Sequence, residues 1–252
     1  MSRADRKSTR FCKHVGRAIN RFQMIRDGDR IIIGVSGGKD SLALCYALSE
    51  RRRWVPIDYD LLAVHIDWRE HPLPEESRAR LFTFLQQRGL PFLSVKASIR
   101  PPSFRGKFNC YLCSRNRKRI FFEIAQKKGF HTIALGHTMD DVVETTLLNL
   151  VFGGEFSTMM PIQSFFEGRM RIIRPMVEVP EREVADAAMR LGFPEIPTEC
   201  PQKGDSRRLT IREVIGELSR LNRRVRQNIF RSPWHIKTEY LPSSLAGVGK
   251  PP

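Results

Sequence analysis

No apolar stretch in this 252-residue chain is long enough to cross a membrane; the longest are short runs such as Ile31–Val35 and Leu61–Val64. The N-terminus lacks the apolar core of a secretory signal, so a cytoplasmic chain with no membrane partner is expected. Cysteine is scarce. The five (Cys12, Cys45, Cys110, Cys113, Cys200) are an odd number, which argues against a disulfide scaffold and points to metal or redox chemistry. There is no internal repeat. Acidic residues are outnumbered, 27 against 43 Lys and Arg, for a net charge of +16. The 41% hydrophobic content excludes a disordered tail protein. The length suits one large α/β domain or two small ones.

The positive charge is concentrated. Residues 1–30 hold nine basic and three acidic side chains, residues 100–119 seven basic and none acidic, and residues 203–237 ten basic and three acidic. Outside these segments the chain is slightly acidic. Three separated patches of one sign point to a polyanionic partner, rather than to a solvated face alone.

Hydrophobic periodicity predicts strands at 30–35, 57–66, 91–96, 131–135 and 170–174. Helices are expected over 41–53, 75–88, 113–128, 139–152, 181–191 and 206–230, with a loop at 97–109. Phe11, Val15, Ala18, Ile19 and Phe22 recur at helical spacing in a basic lead-in that Asp27-Gly28-Asp29 breaks. Alternating strands and helices imply a doubly wound, mainly parallel five-stranded α/β sheet with helices on both faces. The expected organisation is a basic N-terminal helix (1–29), the main domain (30–200) and a C-terminal helical extension with a loose tail (201–252).

Ser36-Gly37-Gly38-Lys39-Asp40-Ser41 lies between the first strand and the first long helix. Ligands of doubly wound sheets bind beyond the C-terminal strand ends. There the glycines let backbone amides approach phosphate oxygens, and the helix N-terminus favours an anion. Lys39 adds a cation, and Asp40 suits a phosphate site only if it helps hold Mg²⁺. The segment is neither GxxxxGK[ST] nor GxGxxG. It resembles the SGGxDS loop of the PP-loop ATP pyrophosphatase superfamily, which implies cleavage of ATP to AMP and pyrophosphate. Gly136-His137-Thr138-Met139-Asp140-Asp141 follows the fourth strand and opens a helix on the same edge. Paired acids at a helix start are often only dipole partners; beside a phosphate loop they suit Mg²⁺ or adenylate chemistry.

Cys110-Tyr111-Leu112-Cys113 is a single CxxC, so neighbouring residues cannot complete a Cys₄ zinc site. With Cys200 as third ligand, the set suits a [4Fe–4S] cluster with one iron left open. Zinc and a metal-free persulfide or disulfide are the competing readings. Cys45 reads as core.

SGGKDS, CYLCSRNRKR, IALGHTMDDVVETTLLN, FGG, RIIRPM and a late Cys-Pro together resemble the tRNA 2-thiocytidine synthetase family, from about residue 9 to 230. The resemblance implies thiolation of cytidine 32 in the tRNA anticodon loop: ATP activates the C2 oxygen as an adenylate, and sulfur from a cysteine desulfurase system displaces AMP. It implies that Cys110, Cys113 and Cys200 hold the cluster, that Ser36–Ser41 grip pyrophosphate, and that Gly34, Ile66 and Gly136 contact the nucleotide. Arg117 matches a basic position aiding adenylation. Asp141, backed by Asp140, is the implied catalytic or Mg²⁺-binding acid. Arg105, Lys107, Arg115, Arg207, Arg208 and Arg223 in the basic segments are then candidate tRNA contacts. A homodimer rests on family analogy alone. Lysidine synthetases share both nucleotide motifs but need no CxxC. Related 2-thiouridine enzymes often carry extra cysteine pairs, which Cys12 alone cannot supply. A catalytically silent tRNA-binding module would not need the intact loop, acids and cysteines.

Overall fold

The computed structural model describes residues 3–100, 104–105, 109–197 and 207–240, with side chains from residue 10 onward. Its order is α1 (Arg3–Arg21), β1 (Asp29–Val35), α2 (Lys39–Arg52), β2 (Tyr59–Trp68), α3 (Glu75–Gln86), β3 (Phe92–Ala97), α4 (Cys110–Lys128), β4 (Thr132–Ala134) and α5 (Met139–Leu148). A π turn (Asn149–Gly153) follows, then β5 (Ile162–Phe165), β6 (Met170–Ile173), α6 (Glu181–Arg190), α7 (Arg207–Leu221) and α8 (Val225–Arg231).

The strand order is β3-β2-β1-β4-β6-β5. All neighbours run parallel except the β5–β6 hairpin. The chain winds outward from β1 to β3, then crosses back to add β4 on the other flank of β1. The topological switch therefore falls between β1 and β4, the place where doubly wound sheets bind ligands beyond the strand ends.

β1 shows why the sheet is covered on both faces. Ile31, Ile33 and Val35 pack into one cluster with α1, α2 and α6, whereas Ile32 packs into a second with α4. Alternate residues of a strand point to opposite faces. The basic lead-in is amphipathic for the same reason: Phe11, Val15 and Ile19 are buried in the first cluster. Cys45 is buried there too.

Three expectations are corrected. The sheet has six strands, not five, because the four-residue β5 pairs only with β6. Its hairpin turns through Phe166 and Glu167 at φ 52 and 58 and Gly168 at φ 85. β5 is half-exposed at the sheet edge, so it carries little apolar signal. The expected helix 206–230 is two helices: Asn222 Oδ1 accepts from Arg224 N–H at 2.8 Å where the chain turns between α7 and α8. α4 begins at Cys110 rather than Cys113, because the Asn109 side chain caps it by accepting from Leu112 N–H at 3.0 Å. Of the expected loose tail, residues 238–240 form a 3₁₀ turn and 241–252 lie outside the described residues.

Candidate active site

β1 delivers the chain to the switch crevice, and Ser36–Gly38 turns it into α2. Gly37 adopts φ 91, a left-handed conformation open to glycine. The two serines close the loop. Ser41 Oγ accepts from Ser36 N–H at 3.2 Å and donates to Gly38 O at 2.8 Å, and Ser36 Oγ accepts from Gly38 N–H at 3.3 Å. Lys39 Nζ donates to Glu181 Oε1 at 2.8 Å and pairs with Asp40 at 3.2 Å. Burial opposes the Lys39 charge, but these two acids more than offset it and raise its pKa. Burial raises the Asp40 carboxyl despite Lys39. The Asp40 Oδ1 oxygen is buried and accepts no well-aligned hydrogen bond, although it stands 3.2 Å from Lys39 Nζ.

β4 delivers the second half. A Cβ on Gly136 would stand 2.9 Å from Asp40 O and 3.2 Å from Ser41 N. The two motifs thus touch backbone to backbone. Gly34 is also constrained: a Cβ would meet Leu135 at 2.8 Å and Phe121 at 3.0 Å. Thr138 N–H donates to Asp141 Oδ2 at 2.8 Å, so Asp141 caps its own helix from inside. Its other oxygen faces Arg208 at 3.4 Å. Asp140 has both oxygens held at short range, accepting from Glu181 N–H at 2.7 Å and Arg226 Nη1 at 2.9 Å. Of the two acids, Asp141 keeps the looser oxygen. Arg212 Nε donates to buried Glu144 at 2.6 Å, and Arg208 stands 3.7 Å from the same carboxylate.

Glu181, Glu144, Arg212 and Arg226 were not legible as site residues. Glu181 opens α6 after Pro180, a pattern shared by any helix with an acid in its first turn. Only the fold brings it to Lys39, 142 positions away.

On the other side of β1, Ile66 is buried in β2. His65 Nδ1 meets Val35 O at 2.9 Å, and burial lowers its pKa. The Arg117 guanidinium stands 5.7 Å from the centroid of Trp68, at the end of β2. Asn116 Nδ2 donates to Ser98 O at 3.0 Å and Ile99 O at 2.8 Å, tying the first half of α4 to the chain leaving β3. Cys110 is exposed and Cys113 half-buried, one helical turn apart. Arg105, Arg115, Arg207 and Arg223 are exposed. Cys200 and Lys107 lie outside the described residues. Cys12 and Cys45 are unsuited to thiolate chemistry: burial pushes both thiols up to about 12.

His137 gives the crevice a pH signature. Its Nδ1 is buried without a hydrogen bond, and burial lowers its pKa from 6.5 to about 4. Between those values the unfolded chain binds more protons than the folded one. Stability therefore falls as pH drops from 6.5 toward 4. Asp40 and Glu144, both raised by burial, act with opposite sign, so comparison with His137→Gln isolates the histidine. The stability difference between wild type and variant, measured by urea unfolding, should shrink through that window. A difference independent of pH removes the assignment.

A parallel sheet with a glycine phosphate loop and an acid-bearing helix start facing each other across its switch point defines the PP-loop class. The family model described as PP-loop domain matches residues 9–218. The chain is 35% identical over 240 residues to the tRNA-cytidine(32) 2-sulfurtransferase of Polynucleobacter asymbioticus, covering 92% of this chain and 78% of that one. It is 36% identical over 234 residues to the protein of the same name from Geobacter sulfurreducens, covering 90% of each. The U34-tRNA thiolase NcsA from Methanococcus maripaludis, solved with its [4Fe-4S] cluster, has the same fold at TM-score 0.75 and 18% identity, covering 97% of this chain and 84% of that one. The chain belongs to the tRNA-cytidine(32) 2-sulfurtransferase family of PP-loop proteins.

Proposed function

We propose that this chain is an ATP-dependent tRNA sulfurtransferase that replaces the C2 oxygen of cytidine 32 with sulfur. The observation that carries the reading is the backbone contact between Gly136 and Asp40–Ser41, which joins the phosphate loop and the acid pair into one crevice. The names of the relatives supply the substrate.

The C2 oxygen of a cytosine is a poor leaving group. In the proposed reaction it attacks the α-phosphorus of ATP, and the bond to pyrophosphate breaks. The loop amides of Ser36–Ser41 and the Lys39 ammonium bind the departing pyrophosphate and stabilise its charge. Gly34, Ile66 and Gly136 line the nucleotide's path along the strand ends. Arg117, beside Trp68, is suited to the charge developing at the α-phosphate. Sulfide-level sulfur, as hydrosulfide, then attacks C2 and gives up its proton, the C2–O bond breaks, and AMP leaves with the former C2 oxygen. A base in an RNA loop is already partly unstacked, which reduces the cost of reaching it.

Two groups fit residues in hand. The Asp40 carboxylate beside Lys39 and the looser Asp141 oxygen suit Mg²⁺, which neutralises phosphate charge. Cys110 and Cys113, on the first turn of α4, present soft donors at i and i+3. With Cys200 they would hold a [4Fe–4S] cluster, which supplies an open iron for the sulfur. A cysteine desulfurase is the proposed source of that sulfur, with a thiol reductant supplying the two electrons that bring its persulfide to the sulfide level.

Nucleoside mass spectrometry of tRNA tests the reading. A strain lacking this chain should lose 2-thiocytidine and regain it on complementation. Loss of lysidine or of a 2-thiouridine instead assigns the chain to another reaction.

A further inference from the structure

The segment after α5 is ordered yet uncovered. At Asn149–Gly153 the helix widens into a π turn, which Gly154 ends at φ 63. Asn149 Nδ2 donates to Ser157 Oγ at 2.9 Å, Glu155 N–H donates to Asn149 O at 3.1 Å, and the Thr146 and Thr158 hydroxyls meet at 2.7 Å. The turn is therefore braced by its own polar groups. Its large apolar side chains are nevertheless open to solvent: Leu150 48%, Val151 61%, Phe152 44% and Phe156 51%. Four large apolar side chains exposed within seven residues mark a candidate interaction surface.

Its neighbours indicate the partner. The Arg207 guanidinium stands 4.9 Å from the Phe152 ring centroid. The next residue, Arg208, reaches Asp141, so the strip adjoins the acid edge of the crevice. The adjoining segment 207–240 holds nine basic and three acidic side chains. Two copies of this chain meeting here would bring like charge together, whereas RNA brings phosphates. Glu155 is the acid on the turn itself, so the phosphates belong at Arg207 and the bases on the strip. Unpaired bases stack on aromatic rings and on Arg planes, and a rigid platform lowers the ordering cost.

We propose that Leu150–Phe156 is a stacking platform for unpaired bases of the RNA substrate, with Phe152 and Phe156 as the rings and Arg207 beside them. The inference rests on the tRNA reading above and adds the surface that would receive the loop.

The test measures tRNA affinity of the full chain across a series of salt concentrations. Stacking is not ionic, so Phe152→Ala with Phe156→Ala should weaken binding by about tenfold or more without changing the salt slope. Phe152→Leu keeps the apolar bulk and loses the ring, so it should weaken binding too, while Phe152→Tyr should bind as wild type does. Arg115→Glu, the charge control, should weaken binding and lower the slope. In the wild-type chain, ultraviolet crosslinking to tRNA should mark residues 150–156, a readout that needs no variant. Wild-type affinity in the double variant, together with its conversion from dimer to monomer in sedimentation, overturns the platform in favour of a self-contact. Wild-type affinity without that change overturns it as well. A wild-type chain that binds no tRNA overturns the tRNA reading and the platform together.

Discussion

Cys110→Ala should leave tRNA without 2-thiocytidine and the anaerobically purified protein without iron–sulfur absorbance, while the fold persists. Cys110 is exposed at the first turn of α4, so its loss creates no cavity, and compared as cluster-free proteins the variant and wild type should differ in stability by no more than about 0.5 kcal/mol. The chemical cost is of another order. Changing a residue that merely supports a metal ligand typically costs about 10–100-fold in affinity or activity, so removing a proposed ligand should exceed that. Nucleoside mass spectrometry and the visible spectrum read the two losses, and thermal melting reads the fold. A wild-type protein that is colourless and holds one zinc refutes the cluster. Undiminished thiolation by Cys110→Ala refutes the role of the CxxC.

Gly136→Ala acts on the other half of the chemistry. The new methyl would meet Asp40 O at 2.9 Å, Asp40 C at 3.0 Å and Ser41 N at 3.2 Å. All three are backbone atoms, so no side chain can swing aside. The end of β4 and the first turn of α2 must separate. Overpacking of this kind costs about 1–3 kcal/mol. Displacing reacting groups by even a fraction of an ångström erodes catalysis steeply, and a 1 Å error can cost about a hundredfold. Turnover of ATP to AMP should therefore fall at least about tenfold, more than the loss of stability explains. Gly216→Ala is the contrast. Gly216 lies inside α7 with nothing within 4 Å of a Cβ, so alanine there should stabilise by roughly 0.5–1 kcal/mol. Equal turnover for Gly136→Ala and wild type would show that the two motifs need not touch.

The two motifs were legible because each is local. Six consecutive residues after a β-branched run, or after His131–Leu135, already carry the strand end, the turn and the helix start. The same locality explains a partial surprise. Asp140-Asp141 read both as dipole partners and as a site; in the structure one Asp141 oxygen caps α5 and the other faces Arg208. β5 was missed because a four-residue, half-exposed edge strand has too few apolar positions to show a period. The division of 206–230 was missed because apolar residues continue at helical spacing through the break at Asn222–Arg224.

The sequence by itself determined the parallel α/β architecture, the phosphate loop, the acid pair and the CxxC, since each is written in neighbouring residues and set by backbone conformation or local periodicity. Only the tertiary structure decided how those pieces meet. It placed the switch between β1 and β4, brought Gly136 against Asp40, and gave Lys39 to Glu181, Asp140 to Arg226 and Glu144 to Arg212. These pairs join residues 68 to 142 positions apart. No local propensity encodes them: the fold brings the partners together, and buried Asp140 and Glu144 in particular must find them.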